Sequence, residues 1–171
     1  NGSFSNDFLS TLCQNWEKEA QKAKSESTKV AIFRFGIVLG KNGGAFQKMI
    51  TPFKLGLGGI IGSGKQHFSY IHIEDLIEVY KFVIENSFDG EFNCTAPTPT
   101  TNYEFTKTLG RVLNRPTIFP MPEFVLKLIF SEGAKVLTDG QSVIPKRLLD
   151  LGFNFKTQTP PSQLPFPSQI I

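Results

Sequence analysis

Cysteine, histidine and tryptophan are scarce in this sequence of 171 residues, which contains two Cys, two His and one Trp. The two cysteines, Cys13 and Cys94, cannot form a disulfide framework, so we expect a reducing compartment, either the cytoplasm or an organelle interior. The cysteines and histidines also lack the spacing of metal ligands, and no metal site is predicted.

Long apolar runs and runs of like charge are absent as well. No apolar stretch approaches the ~20 residues needed to cross a bilayer, and the N-terminus is polar, so we expect neither a transmembrane helix nor a signal peptide. The net charge is only +3 and no Lys/Arg run occurs, so no nucleic-acid-binding surface is predicted. Apolar residues make up 40% of the chain, which is enough for a buried core and excludes disorder of the whole chain.

The sequence does contain a pattern of alternating helices and apolar strands. A helix capped near Ser5–Asp7 is predicted to run to about Lys24, and residues 29–39 form a nearly continuous apolar run. Such a run is typical of a strand buried on both faces in a parallel sheet. The other predicted elements are a helix over 45–53, an alternating run over 67–73, a helix from Glu74-Asp75, a strand over 90–95, a helix from Thr101 or Asn102 to Leu113, and helices beginning near Pro122 and Pro145. This order indicates an α/β fold.

Glycine is concentrated in one region, because eight of the fifteen glycines lie between residues 40 and 66. Residues 59–66 come within one residue of a P-loop. However, Gln66 stands where a P-loop needs Ser or Thr, and the segment that follows is extended rather than helical. The favoured interpretation is a glycine-bent substrate loop, in which backbone N–H groups can approach a ligand closely.

Three other features have both a structural and a functional interpretation. Arg34 lies inside an apolar strand, so its charge must either face a ligand in a cleft or form a buried structural ion pair. Asp75 at a helix start is most simply an N-cap. Tyr103 and Lys107 match the Tyr-x-x-x-Lys motif of short-chain dehydrogenases, but their place after a Pro-rich turn favours a coincidental match. No catalytic residue is assigned.

Several segments together resemble one family. They are residues 34–40, 43–45, 52–59, 62–66, 69–75, 93–97, 101–105, 115–116, 140–145 and 152–153, preceded by Phe8-Leu9 and Trp16-Glu17. These segments are similar to the atypical, extended short-chain dehydrogenase/reductase proteins, the nucleoside-diphosphate-sugar epimerase-like family. The resemblance extends from about residue 7 to 156, and the string at 52–59, Pro-Phe-Lys-Leu-Gly-Leu-Gly-Gly, is specific.

The resemblance implies a fold and a missing part. Residues 1–115 would be the C-terminal half of a Rossmann-like NAD(P)-binding epimerase domain, residues 116–156 a small, mostly helical C-terminal domain, and residues 157–171 a Pro-rich tail. Family members are nearly twice as long, and their dinucleotide fingerprint and catalytic Ser and Tyr belong upstream of Asn1. We therefore expect a partner, either the missing N-terminal half or a chain that covers the cut sheet edge.

The resemblance also implies a site and a function. Arg34, Gly36 and Val38 would flank the nicotinamide of NADP or NAD. The residues that would line a cleft for a small-molecule substrate are Gly43, Gly44, Lys48, Phe53, Gly58, Gly59, Gln66 and His72. The chain would be the substrate side of an NAD(P)-dependent epimerase or oxidoreductase acting on a small molecule such as a nucleotide sugar. Its cofactor site is incomplete, so the chain alone is expected to be inactive. The alternative is a non-catalytic remnant that serves as a binding or structural subunit.

Overall fold

The computed structural model of the chain describes residues 8–40, 44–121 and 140–157. In chain order the elements are α1 Phe8–Gln21, β1 Ala31–Phe35, β2 Ile37–Leu39, α2 Gly44–Lys54, β3 His67–Phe68, β4 Tyr70–His72, α3 Ile73–Glu85, β5 Gly90–Cys94, β6 Thr100–Thr101, α4 Asn102–Leu113 and α5 Lys146–Asp150. Helices and strands therefore follow one another as an α/β fold requires. The predicted cap at Ser5–Asp7, the helix beginning at Pro122 and the tail after residue 157 lie outside the described residues.

The apolar run over residues 29–39 forms two short strands instead of the single strand predicted. β1 pairs in parallel with β5, whereas β2 pairs in parallel with β4. The change of partner occurs at Gly36, whose N–H donates to the Cys94 carbonyl at 3.0 Å, while the N–H of Ile37 donates to the Ser69 carbonyl at 2.9 Å. An apolar pattern records burial but not the neighbour that a strand pairs with, so the sequence could not show this break. A third pair, β3 with β6, is antiparallel.

β1 is less buried than its sequence predicts, because four of its residues are half-buried and Phe35 is exposed. One face of the strand packs on α3, where the ring centroids of Phe33 and Tyr80 lie 4.3 Å apart. The other face carries Arg34, which bonds to Glu17 of α1. β1 is therefore not fully buried on both faces as predicted, because its residues are half-buried or exposed and its α1 side carries a part-buried ion pair in place of apolar contacts.

The buried apolar side chains form two clusters. The first joins α2 and α4 to β3 and β4, and at its centre the rings of Phe68 and Phe105 stack with centroids 4.1 Å apart. The second joins the inner face of α3 to β5 and to the C-terminal residues 148–155, where Phe153 and Phe155 meet edge to face. The C-terminal segment is therefore packed into the core that supports β5 and α3.

The predicted starts of α4 and α5 are confirmed. The Thr101 hydroxyl accepts from the Glu104 N–H, and the Glu104 carboxylate accepts from the Thr101 N–H, which together form a capping box. Hydrogen bonds from the Thr101 backbone and the Thr100 hydroxyl hold the pKa of Glu104 below its usual value. Among the described residues, no helix is both long and apolar enough to span a bilayer.

Candidate functional site

Two parallel strands, β2 and β4, end side by side, with Leu39 paired with His72. From this edge β2 continues through Gly40 towards α2, and β4 runs directly into α3. In parallel α/β sheets, ligands bind at the carboxyl ends of the strands, where helix N-termini and their free N–H groups collect. This edge is therefore the candidate site.

His72 caps α3 at this edge. Its Nδ1 accepts a hydrogen bond from the Glu74 N–H at 3.3 Å, and the residue is buried. Because Nδ1 acts as the acceptor, the neutral imidazole carries its proton on Nε2. The structure thus gives His72 a capping role at the predicted substrate edge, and its contact with a substrate stays a prediction.

The interpretation of Asp75 as an N-cap is wrong, because His72 is the cap. Asp75 is only 2% exposed, and its two carboxylate oxygens accept from the backbone N–H groups of Lys156 at 2.8 Å and Thr157 at 3.1 Å. The carboxylate therefore ties α3 to the C-terminal segment. These partners lie 81 and 82 residues further along the chain, beyond the reach of any local pattern.

Two buried acidic groups near the site are held in their protonated forms. Burial, assisted by the negative charge of Asp75, raises the pKa of Tyr70 in β4 to about 12. Burial likewise raises the pKa of the Cys94 thiol at the end of β5 to about 12. A phenol and a thiol with such pKa values are neutral at physiological pH, so neither is an activated nucleophile or base.

Arg34 forms an ion pair with Glu17. Its Nε and one terminal nitrogen donate to the two carboxylate oxygens at 2.7 and 2.6 Å. The hydrogen bond to Glu17 raises the pKa of the Arg34 guanidinium, whereas partial burial opposes that rise. Of the two sequence-based interpretations, the structure shows an ion pair, although 39% of the Arg34 side chain is exposed. Contact between Arg34 and a nicotinamide stays a prediction.

Gly36 and Val38, the other two residues predicted to flank the cofactor, have packing roles. A Cβ at Gly36 would lie 2.8 Å from the Ser69 carbonyl oxygen and 3.1 Å from the Tyr70 Cα, so β4 can approach this closely only because the residue is glycine. Val38 is half-buried against the cluster formed by α3 and β5. The structure places Gly36 directly before β2 and Val38 within β2, the strand that leads to the candidate edge.

The glycine-rich segment folds back on its own chain. Gly58 packs against the Phe53 ring and Gly59 against the backbone of residues 119–121, and neither position has room for a Cβ. The Gln66 amide donates to the Ile61 carbonyl at 2.9 Å and so closes the loop on itself. Strand β3 follows this segment, in agreement with the rejection of a P-loop, which requires a helix there.

The predicted cleft residues do not all come together. Phe53 and Gly59 line a cavity of about 10 Å³ between α2 and α4. This volume is about the minimum that a single water molecule needs, and it is far smaller than the ~300–1,000 Å³ of a ligand pocket. Lys48 is exposed on α2, and Gly44 is the first residue of that helix. Gly43 lies outside the described residues.

Asn102 organises the glycine-rich segment, a role that the sequence analysis did not predict. It is fully buried, its Oδ1 accepts from the Ile61 N–H at 2.9 Å, and its own N–H donates to the Gln66 carbonyl at 2.9 Å. The first residue of α4 therefore holds both ends of the loop over residues 61–66. An Asn at a helix start is an ordinary sequence feature, and only the fold brings the loop to it.

Replacing Asn102 by alanine is expected to lower the free energy of unfolding by about 1.5 kcal/mol, because the Ile61 N–H loses its acceptor in a buried position. Urea unfolding followed by circular dichroism measures the change. The matched control is Asn154→Ala, since Asn154 is exposed and its loss should have little effect. Equal stability of the two variants would contradict the role given to Asn102.

Tyr103 and Lys107 do not form the proton-transfer pair of a dehydrogenase. The Lys107 ammonium donates to the Thr117 carbonyl at 2.8 Å and lies 5.7 Å from the centre of the Tyr103 ring. This geometry places the ammonium over the face of the ring, which supports the interpretation of the motif as coincidental. In the described part of the chain, no three His, Cys, Asp or Glu side chains are arranged to hold a metal ion.

Comparisons with known proteins agree with the resemblance. A family model described as a domain of unknown function, DUF1731, matches residues 121–164. The epimerase family protein SDR39U1 homolog of Arabidopsis thaliana, named as chloroplastic, is 45% identical over 151 residues, which are 88% of this chain and 43% of that protein. The epimerase family protein SDR39U1 of Mus musculus is 44% identical over 151 residues, which are 87% of this chain and 51% of that protein. The chain thus spans about half the length of these relatives.

Solved structures confirm the α/β, Rossmann-like epimerase fold. The structure of human epimerase family protein SDR39U1, isoform 2, with NADPH superimposes with a TM-score of 0.85 at 39% identity, over 95% of this chain and 55% of that one. A nucleoside-diphosphate sugar epimerase from Corynebacterium glutamicum gives a TM-score of 0.72 at 26% identity, over 92% of this chain and 30% of that one. Over most of its length the chain is therefore similar to the atypical, epimerase-like short-chain dehydrogenase/reductase proteins, and it matches the C-terminal part of these proteins.

Proposed function

We propose that this chain is the substrate-side half of an NAD(P)-dependent epimerase or oxidoreductase that acts on a small molecule such as a nucleotide sugar. The observation that carries the proposal is the shared edge where β2 and β4 end, with Leu39 beside His72. The NADPH named with human SDR39U1 supports the cofactor class. The name of the Corynebacterium protein supports the substrate class.

In this proposal, residues near the edge bind and position ligands. His72 retains an Nε2 donor for a substrate oxygen, and Lys48 supplies a positive charge on the helix that follows β2. Gly36 and Val38 form the flank towards the cofactor. Each role is one of binding or positioning, in keeping with the absence of an assigned catalytic residue.

The residues of this chain do not make up a dinucleotide site by themselves. The Gly-x-Gly-x-x-Gly spacing does not occur in the sequence, and the guanidinium of Arg34 is engaged by Glu17. NADP or NAD would therefore be held mainly by another half, and hydride chemistry is supplied by the cofactor when it is bound.

We expect the purified chain alone to show no NADPH or NADH binding at micromolar concentrations in calorimetric titration. A chimera in which the part of human SDR39U1 that this chain does not match precedes the full chain is expected to bind NADPH. The chimera carrying Lys107→Ala serves as a control. Lys107 lies on α4 and donates to the Thr117 carbonyl, so it is not part of the candidate edge. Tight binding by the chain alone would overturn the view that its cofactor site is incomplete.

The alternative is a non-catalytic subunit that binds a partner without turning over a substrate. It is favoured by the structural use of Arg34, which pairs with Glu17, and of Gly58 and Gly59, which pack closely against the protein's own chain. A folded chimera that binds neither NADPH nor NADH would support this alternative and contradict the enzymatic proposal.

The compartment remains part of the proposal. A reducing compartment suits Cys13 and Cys94, which are both free thiols. The chloroplastic name of the Arabidopsis relative supports an organelle interior as one of the two predicted locations.

A further inference from the structure

The positive charge of the chain is concentrated in one part of the fold. Residues 44–66 and 105–121 together contain six Lys or Arg residues and no Asp or Glu, although the whole chain has a net charge of only +3. The rest of the chain is therefore net negative. The six cations are Lys48, Lys54, Lys65, Lys107, Arg111 and Arg115. Such a charge asymmetry indicates a surface that meets an anionic partner.

The two segments pack together as one lobe, called here the basic lobe. Side chains of α2 and α4 share the first apolar cluster, and the N–H of Met121 donates to the carbonyl of Ile60 at 2.9 Å. Gly59 lies so close to the backbone of residues 119–121 that a Cβ has no room there. The turn after α2 and the segment around residue 119 therefore lie side by side.

Large apolar side chains are exposed on these two neighbouring segments. Four of them are called here the apolar tip, and their exposed fractions are 70% for Leu55, 61% for Leu57, 77% for Ile118 and 79% for Phe119. Neither of the two apolar clusters in the described chain includes any of the four. Exposed apolar side chains that are grouped in this way mark an interaction site.

The turn that carries Leu55 and Leu57 has its backbone donors bonded within the chain. The N–H groups of residues 55–57 donate to carbonyls of residues 51–53, at distances from 2.8 to 3.2 Å. Gly56 allows this tight turn because its φ is +76°, a value that favours glycine. A turn whose N–H groups are bonded internally can enter an apolar medium without the cost of unpaired donors.

Cations of the basic lobe border the apolar tip. Lys54 is exposed in the last turn of α2, next to Leu55. Three more cations line an open groove of about 530 Å³ between α4 and residues 115–117: Lys107, Arg111 and Arg115. No acidic residue lines this groove. Within the described part of the chain, none of these four cations belongs to an ion pair.

The two arginines are not required to complete the end of α4. A Lys or Arg near a helix C-terminus often bonds to the last carbonyls. Here backbone N–H groups occupy them, since Asn114 donates to the Arg111 carbonyl at 3.2 Å and Arg115 donates to the Gly110 carbonyl at 2.9 Å. The exposed guanidinium groups of Arg111 and Arg115 therefore stay available to an anionic partner.

We propose that the apolar tip and the cations beside it bind the surface of an anionic lipid bilayer, so that the chain lies at the membrane periphery. The four apolar side chains enter the headgroup region, and the cations bind lipid phosphates. A purely acidic partner would pair with the cations and leave the apolar side chains in water, whereas a bilayer takes up both. Membrane binding of this kind is independent of the cofactor and substrate named above.

Co-sedimentation with vesicles tests the proposal. The full chain is mixed with vesicles of phosphatidylcholine, prepared with or without phosphatidylglycerol. We expect the anionic lipid to raise the affinity by about tenfold or more, and added salt to lower it, because salt screens exposed charges. The chimera described above is expected to bind equally well. Equal affinity for both kinds of vesicle would overturn the proposal, as would binding by the chain but not by a folded chimera.

Two lysines provide a matched test of the charge. Lys54 and Lys18 are both exposed, and each lies in the last turn of its helix, α2 or α1. Lys54→Gln is expected to weaken binding to the anionic vesicles about fivefold, whereas Lys18→Gln is expected to have no effect. Equal weakening by both variants would show that only the net charge matters, which contradicts a localised binding face.

Two phenylalanines provide a matched test of the apolar tip. Phe119 is 79% exposed and Phe8, on α1, is 78% exposed. Phe119→Ala is expected to weaken vesicle binding about tenfold, since the ring no longer enters the bilayer, and Phe8→Ala is expected to leave binding unchanged. The urea midpoint of Phe119→Ala should equal that of the unchanged chain. A lowered midpoint would show that the ring packs within the chain and would overturn the proposal.

Soluble anions distinguish a bilayer surface from a site for free phosphate or for an acidic protein. Inorganic phosphate and sodium sulfate at equal ionic strength are expected to release the chain from vesicles to the same extent, through screening alone. Stronger release by phosphate would indicate a discrete phosphate site and overturn the proposal. So would calorimetric binding of polyglutamate by a chain that does not bind the anionic vesicles.

Discussion

Replacing Asp75 by alanine is expected to lower the free energy of unfolding by about 3 kcal/mol. The buried carboxylate accepts from the part-buried N–H groups of Lys156 and Thr157, and a hydrogen bond to a charged group contributes roughly 1.5–3 kcal/mol. These bonds also hold the segment that carries Phe153 and Phe155 against α3. Urea unfolding followed by circular dichroism measures the loss, and heteronuclear NMR shows whether residues 153–157 detach first.

Two further variants separate this effect from a general loss of charge. Asp75→Asn keeps one carbonyl acceptor and is expected to lose about half as much stability. Glu78→Gln, one turn further along α3, removes a charge that faces Lys81 and Lys156 near the surface, and little change is expected. If Glu78→Gln lowers stability as much as Asp75→Ala, the buried hydrogen bonds are not the cause.

Gly36→Ala is expected to destabilise the fold by about 2–3 kcal/mol and to disturb the candidate edge. The added Cβ would lie 2.8 Å from the Ser69 carbonyl oxygen and 3.1 Å from the Tyr70 Cα, so β2 and β4 would have to move apart. Forcing a methyl group into a packed position costs about 1–3 kcal/mol. Thermal unfolding measures the loss, and in the chimera a weaker affinity for NADPH would show that the flank has moved.

Gly40→Ala is the matched control, because it adds the same methyl group at the end of the same strand. Its Cβ would meet only the Ile73 side chain, at an ordinary distance of 3.5 Å. We expect its stability to lie close to that of the unchanged chain. A Gly36→Ala variant as stable as Gly40→Ala would show that β4 tolerates a side chain at this position.

The helices and strands that could be predicted from the sequence are those whose determining residues lie close together in the chain. The start of α4 was predictable because Thr101 and Glu104 form a capping box within one turn. The strand β5 and the helix α3 were predictable from apolar spacing, which reflects the burial of one side of each element. The break between two strands at Gly36 could not be predicted from the sequence, because it depends on hydrogen bonds to the carbonyls of Ser69 and Cys94 in two other segments.

The candidate site also combines features that could be predicted from the sequence with features that could not. Family resemblance pointed to the glycine-rich region and to His72, and the structure places His72 at the end of β4. Resemblance did not indicate that Gly58 and Gly59 are required by packing against Phe53 and the chain near Met121. Glycine permits close approach of a ligand or of the protein's own chain, and the residue type alone does not distinguish the two.

The sequence by itself determined the α/β class, most of the helices and the family resemblance, because these depend on local spacing and on strings of specific residues. The tertiary structure alone decided that Asp75 holds the C-terminal segment, that Arg34 pairs with Glu17 and that α1 exposes Leu9 and Trp16. Each of these depends on which distant segments meet, and periodicity carries no information about such partners. The scarcity of cysteine leaves two thiols, and only the tertiary structure shows that Cys13 is exposed and Cys94 is buried.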